Sequence, residues 1–229
     1  MTADDFDFIV RVLDHSTGQR PSLEKLLLDE ECRDSLLEHE KVASAILDST
    51  EHLPISPGLL FYVLCRRVLR ETPAGSRETT DYLASMLEKF LQSRCLHAPE
   101  EMQDQDFRYV SDVLQALVHA TPSQAFVLRT HVANYSLFLS GVFHDHVEKK
   151  TQRGGPSLRF YEDVGRSNFA VAAKDRQART LGLESIFSNL ADSFHEVRLA
   201  LNDLADRLLH LGDTPMPSVG SGGGLVSTT

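Results

Sequence analysis

The chain has 229 residues, a hydrophobic fraction of 41%, no tryptophan and a formal net charge of −10. That length suits one large domain, which buries well over half of its unfolded surface and needs neither disulfides nor metals to hold it. The acidic balance argues against a general nucleic-acid binder or a binder of anionic membranes, because both would repel the chain at long range.

Apolar residues recur at three- and four-residue spacing along most of the sequence, while period-two alternation is rare. This predicts an all-α fold, a single-domain bundle of about seven helices. The first covers about Asp4 to His15, with Phe6, Ile9 and Leu13 on one face and Gly18 as its stop. A second region opens at Pro21 and reaches about Thr50, broken near Asp29. After PISP a helix starts near Gly58 and turns Leu60, Val63, Leu64 and Val68 inward. Arg66, Arg67 and Arg70 crowd its last turns, where they either favour the negative pole of the helix or gather an anion. TPAGSRE, 72–78, is a loop, and Thr79 or Thr80 is expected to cap a helix running to about Cys95. The acidic connector APEEMQDQD then leads to a helix over about 106–119.

Pro122 suits the first position of the next helix, in which Leu128, Val132, Tyr135, Leu139 and Val142 form a tight seam. KKTQRGGPS is a loop, and LRFYEDVGRSNFAVAAKD resumes as helix. In the C-terminal segment Leu183, Phe187, Leu190, Phe194, Val197, Leu201, Leu204, Leu208 and Leu211 alternate steps of four and three. A period of 3.5 residues sustained this long predicts one helix in a left-handed seam, and the small flanking residues Ala191, Ala200 and Ala205 place it in an intramolecular bundle. DTPMPSVGSGGGLVSTT has no core residues to fold around, so 1–212 is expected to form the domain and 213–229 a disordered tail.

Cys32, Cys65 and Cys95 share no short spacing, and no zinc-type pattern exists. Cys65 and Cys95 fall in apolar helical contexts, and buried structural thiols in a reducing compartment are the expected reading. The acidic start MTADDFDFIV lacks the features of a signal peptide, and no apolar run reaches membrane length, so a cytoplasmic location is expected.

Three places could carry chemistry. In YSLFLSGVFHDH, His144-Asp145 has the form of the metal-binding dyad of HD-type phosphohydrolases. Such a site needs a histidine upstream, which His119 or His131 could supply, and an aspartate downstream, for which Asp192 is the candidate. Against that stands a helix-end role for the histidines without any metal. Asp192-Ser193-Phe194-His195 has the carboxylate–histidine spacing of di-iron bundles, but Phe194 already belongs to the apolar seam. In FYEDVGRSNFAVAA, Gly165 sits inside a helix at a cost of about 1 kcal/mol relative to alanine. It either permits a close crossing, with Ser140-Gly141 as the partner, or opens space for a ligand contacted by Tyr161, Arg166 and Asn168.

LFLSGVF followed by FYEDVGRSNF resembles a signature shared by a group of bacterial all-helical proteins. The resemblance covers roughly the C-terminal 90 residues of the chain. It implies a bacterial origin and a helical fold, and it brings no activity with it. The sequence therefore leads to the expectation of a non-catalytic interaction or regulatory protein with a protein partner and no cofactor. The alternative is a metal-dependent phosphohydrolase that holds a divalent cation at His144-Asp145.

Overall fold

The computed structural model describes residues 1–14, 20–49, 53–91 and 110–211; the expected tail, the acidic connector and Cys95 lie outside them. Among the described residues there are thirteen helices and no strand. The first, α1 (Ala3–Leu13), opens with a capping box in which Thr2 Oγ1 accepts from Asp5 N–H at 3.1 Å and Asp5 Oδ2 accepts from Thr2 N–H at 2.6 Å.

The region after Pro21 is three short helices, α2 (Arg20–Leu28), α3 (Glu30–Leu37) and α4 (Glu40–Leu47). Asp29 separates the first two by capping α3, its carboxylate accepting from Cys32 N–H at 3.0 Å. His39 separates the next two by capping α4, with Nδ1 accepting from Lys41 N–H at 3.2 Å.

In α5 (Pro57–Leu69), Ser56 is the N-cap and Pro57 takes the first helical position. Asp5 reaches this cap from α1: Oδ1 accepts from Ser56 N–H at 2.6 Å and Oδ2 from the Ser56 hydroxyl at 2.8 Å. One buried carboxylate thus organises two helix starts. Burial alone would raise the Asp5 carboxyl, but the hydrogen bonds from Ser56 and Thr2 outweigh it and hold the group below its ordinary range.

The following helix, α6 (Arg77–Leu91), starts earlier than the threonines suggest. Its cap is Ser76, whose hydroxyl accepts from Thr79 N–H at 3.2 Å, while Thr79 and Thr80 are fully buried within the first turn. After α7 (Val110–Ala116) comes α8 (Pro122–Val142), with a capping box from Thr121 and Gln124. The remaining helices are α9 (His144–Thr151), α10 (Leu158–Ala173), α11 (Arg176–Thr180), α12 (Glu184–Asp192) and α13 (Phe194–Leu211).

The expected C-terminal helix is therefore broken, at Ser193, where φ is −108° and ψ is 24°. The apolar seam survives the break: Phe187, Leu190, Phe194, Val197, Leu201 and Leu204 are all buried. Central to the bundle is α8, which packs against both α10 and α13. Its burial extends well beyond the expected seam. Leu128 and Val132 are buried as that seam requires, but Ala133, Leu137 and Phe138 on other faces are buried too, and Tyr135, Leu139 and Val142 keep partial exposure. A helix covered from several sides buries more than one stripe.

Gly165 marks the tightest approach. A Cβ there would overlap the ring of Phe194 and lie 3.1 Å from Ser136 Cβ. The glycine serves close packing of α10 on α8 and α13, and the partner on α8 is Ser136, one turn before the expected Ser140-Gly141. Gly141 faces Leu201 instead, whose Cβ would be 2.9 Å from an added methyl group. No described helix is long and apolar enough to cross a membrane.

Candidate functional site

The HDH tripeptide opens a helix. Phe143, with φ −114° and ψ 35°, ends α8, and His144 is the first residue of α9. Asp145 then lies in the first turn, where a carboxylate favours the positive helix pole. The His144 side chain is only 17% exposed, and its Nε2 lies 3.4 Å from Asp145 Oδ1 and 3.6 Å from Asp206 Oδ1 of α13. Its Nδ1 is buried with no hydrogen-bond partner among the described residues. His146 is exposed.

The other metal candidates lie elsewhere. His119 is exposed in the turn after α7, and Asp192 is exposed at the end of α12. His131 is buried in α8, its ring stacked at 12° on Tyr135 and edge-on to Phe90. Among the described residues no three His, Cys, Asp or Glu side chains group as metal ligands. The structure brings Asp206 to His144 and Asp145, and leaves His119, His131 and Asp192 apart from them.

A polar stripe on α13 runs through this region. His195 Nδ1 lies 2.5 Å from Glu162 Oε1 of α10, and Arg198 Nε is 3.7 Å from the same oxygen. One turn on is Asn202. In the amide orientation that satisfies its surroundings, its nitrogen donates to Ser140 O at 3.0 Å and Gly141 O at 2.6 Å, and its oxygen accepts from Arg198 Nη1 at 3.2 Å. The break at Phe143 ends the α8 ladder, and Asn202 takes up carbonyls of that last turn. Asp206 follows, opposite His144. His195 thus turns to Glu162. The spacing 195, 198, 202, 206 is a helical stripe, a signal the sequence held beside the stronger apolar seam.

The three expected ligand contacts on α10 diverge. Tyr161 is half-buried against a small cluster of Val110, Val113, Leu128 and Val132. Asn168 is buried, its Nδ2 donating to Val164 O at 2.9 Å and its Oδ1 accepting from Arg129 Nη1 at 3.2 Å. Arg166 is exposed on another face.

The arginines at the end of α5 all line one cleft, and Arg66 is also tied down by hydrogen bonds. Arg66 donates to Glu38 Oε1 at 2.7 Å and to the Gly75 carbonyl, tying the loop after α5 to the end of α3. Arg67 and Arg70 stand on the rim of a cleft of about 460 Å³ between α4, α5 and α13. Leu37, Ala43, Val63 and Val68 supply its apolar lining. Arg66 with Glu38, Glu40, Glu71, Asp203 and Arg207 supply its other charged groups, with Arg207 Nε 2.9 Å from Asp203 Oδ2. In sequence these arginines read as helix-end or anion-binding residues, and nothing local links positions 70 and 207.

The chain matches no protein-family model, no curated protein and no solved structure.

Proposed function

We propose that the protein is a non-catalytic interaction or regulatory protein whose cleft between α4, α5 and α13 receives a segment of a protein partner. One observation supports this reading: four arginines, Arg66, Arg67, Arg70 and Arg207, share one cleft with the carboxylates Glu38, Glu40, Glu71 and Asp203. Protein interfaces are likewise rimmed by polar groups and enriched in arginine. Mixed rim charges would select a partner and orient it on approach. The free thiols of Cys32 and Cys65 fit a reducing compartment, and with the acidic charge they support a cytoplasmic location. Burial pushes the Cys65 thiol up to about 12, which suits a packing role rather than a reactive one.

Site-specific photocrosslinking in the source cells tests the reading. A crosslinker at Arg70 is expected to capture one discrete partner that a crosslinker at the exposed Lys174 does not. Arg67→Glu should weaken that capture. Equal adducts from positions 70 and 174, or none from 70, would count against the cleft.

A further inference from the structure

We propose that the protein associates head to tail with a second copy of itself, the corner between α2 and α3 of one copy seating Leu28 on the cationic face of α10 and α11 of the next. The two faces carry opposite charge and each exposes apolar surface. Neither belongs to the cleft between α4, α5 and α13.

The cationic face comes from residues 166–181, RSNFAVAAKDRQARTL. Helix α10 buries Phe169 and Ala172 and turns Arg166 and Val171 outward, and Lys174, Arg176 and Arg179 follow around α11, all exposed. These four cations form no ion pair among the described residues. The stretch has a single carboxylate, Asp175, which is half-buried and engaged in the α11 cap, accepting from Gln177 N–H at 2.8 Å. Val171 is 46% exposed and Leu181 61%, so apolar surface lies among the cations.

The corner between α2 and α3 has the opposite character. Leu28 ends α2 at 80% exposure, the most exposed large apolar residue among those described. Asp29 and Glu31 follow it, both exposed. Residues 24–31, EKLLLDEE, hold four carboxylates against one lysine, and Arg33 stands beyond them. A lone exposed leucine is ordinary. Here it projects from an acidic bend, in a chain that also presents valine and leucine among unpaired cations.

That match selects the occupant. Two copies of net charge −10 repel at a distance, but at physiological ionic strength the repulsion is screened beyond about 8 Å, and the faces that meet are opposite in sign. A nucleic acid or an anionic membrane extends past the cationic face and would meet the rest of the chain, which holds 19 Lys and Arg against 32 Asp and Glu. The corner confines its carboxylates to one bend and brings a leucine to Val171 and Leu181. Because the two faces differ, the contact is heterologous: each copy keeps one face of each kind to offer, and association builds chains or closes into rings.

Sedimentation equilibrium of the full chain reads the contact. The weight-average mass is expected to rise with concentration above that of one chain. Leu28→Lys and Arg176→Glu alter exposed side chains, so each variant should keep the parent's melting temperature and self-associate about tenfold more weakly. Mixed in equal amounts, the two should form a heterodimer and nothing larger, because the first retains an intact α10–α11 face and the second an intact corner. A parent that stays monomeric would overturn the proposal, as would variants that associate like the parent or a mixture no heavier than its components. Neither substitution touches the cleft, so capture at Arg70 should be unaffected. In source cells a crosslinker at Lys174 should join two copies of the chain, an adduct distinct from the partner captured at Arg70. A different protein captured at Lys174 in place of the chain itself would assign the face to another partner and overturn the self-contact.

Discussion

The ring of Phe194 lies directly over the Cα of Gly165, in the space a side chain would fill. Phe194 is 1% exposed and begins α13 just after the break at Ser193, so the ring has little room to retreat. Gly165→Ala should gain about 1 kcal/mol of helix propensity but lose about 1–3 kcal/mol to overpacking. Net destabilisation is expected in a denaturant melt, and more for Gly165→Leu. In a Phe194→Leu background the Gly165→Ala penalty should shrink or change sign. Equal penalties in both backgrounds would show that the two residues do not interact.

Asp5 supplies a second test, with a definite pH sign. Its carboxyl is held below the ordinary range in the folded protein. Its contribution to stability is therefore complete above the unfolded carboxylate value of about 3.9 and is lost as pH falls through the lower folded value. Asp5→Asn should cost about 1–3 kcal/mol at neutral pH, because it replaces an ionised acceptor of buried bonds. Below about pH 4 the gap between the variant and the parent should narrow. Urea melts across that range would read it directly, and a constant gap would remove the charge argument.

The bridge from Asn202 to the end of α8 gives a third expectation. Asn202→Ala leaves the carbonyls of Ser140 and Gly141 without that donor, and both residues are buried. The cost should be about 1–3 kcal/mol. Asn202→Asp should do no better at neutral pH, since an ionised carboxylate offers no proton to either carbonyl. Thermal melts of the two variants check this; a stable aspartate variant would contradict the assigned amide orientation.

A fourth experiment concerns His144, Asp145 and Asp206. Zinc or manganese added to the purified protein is expected to leave the melting temperature unchanged. A rise that disappears in His144→Ala would establish a cation there and turn attention to hydrolase chemistry.

The sequence carried the helical class and most of the apolar faces, because 3.6-residue periodicity survives in every long segment. The breaks were harder to see. At Ser193 the apolar steps of four and three pass through without interruption, and a break that preserves the seam leaves no mark in hydrophobicity. Phe143 is similar, an aromatic residue in an apolar run where no glycine or proline gives warning. Ser76 lost the cap assignment to Thr79 because two threonines ahead of an apolar run look like a stronger signal than one serine. The candidate sites were less legible still. His144 stood out in the sequence, but Asp206 of α13, which the fold sets beside it, lies 62 residues on.

The position of α13 bears on how the molecule comes apart. It packs on α8, α10 and α12 from the C-terminal half and on α4 and α5 from the N-terminal half. Val197 and Leu201 are fully buried along it. Peeling this helix away would expose apolar surface in both halves at once, so neither half has an inexpensive route to opening alone. Amide exchange should accordingly be slowest in α13, α8 and α5 together, at rates set by global unfolding, with α2 and α7 exchanging through local fluctuations.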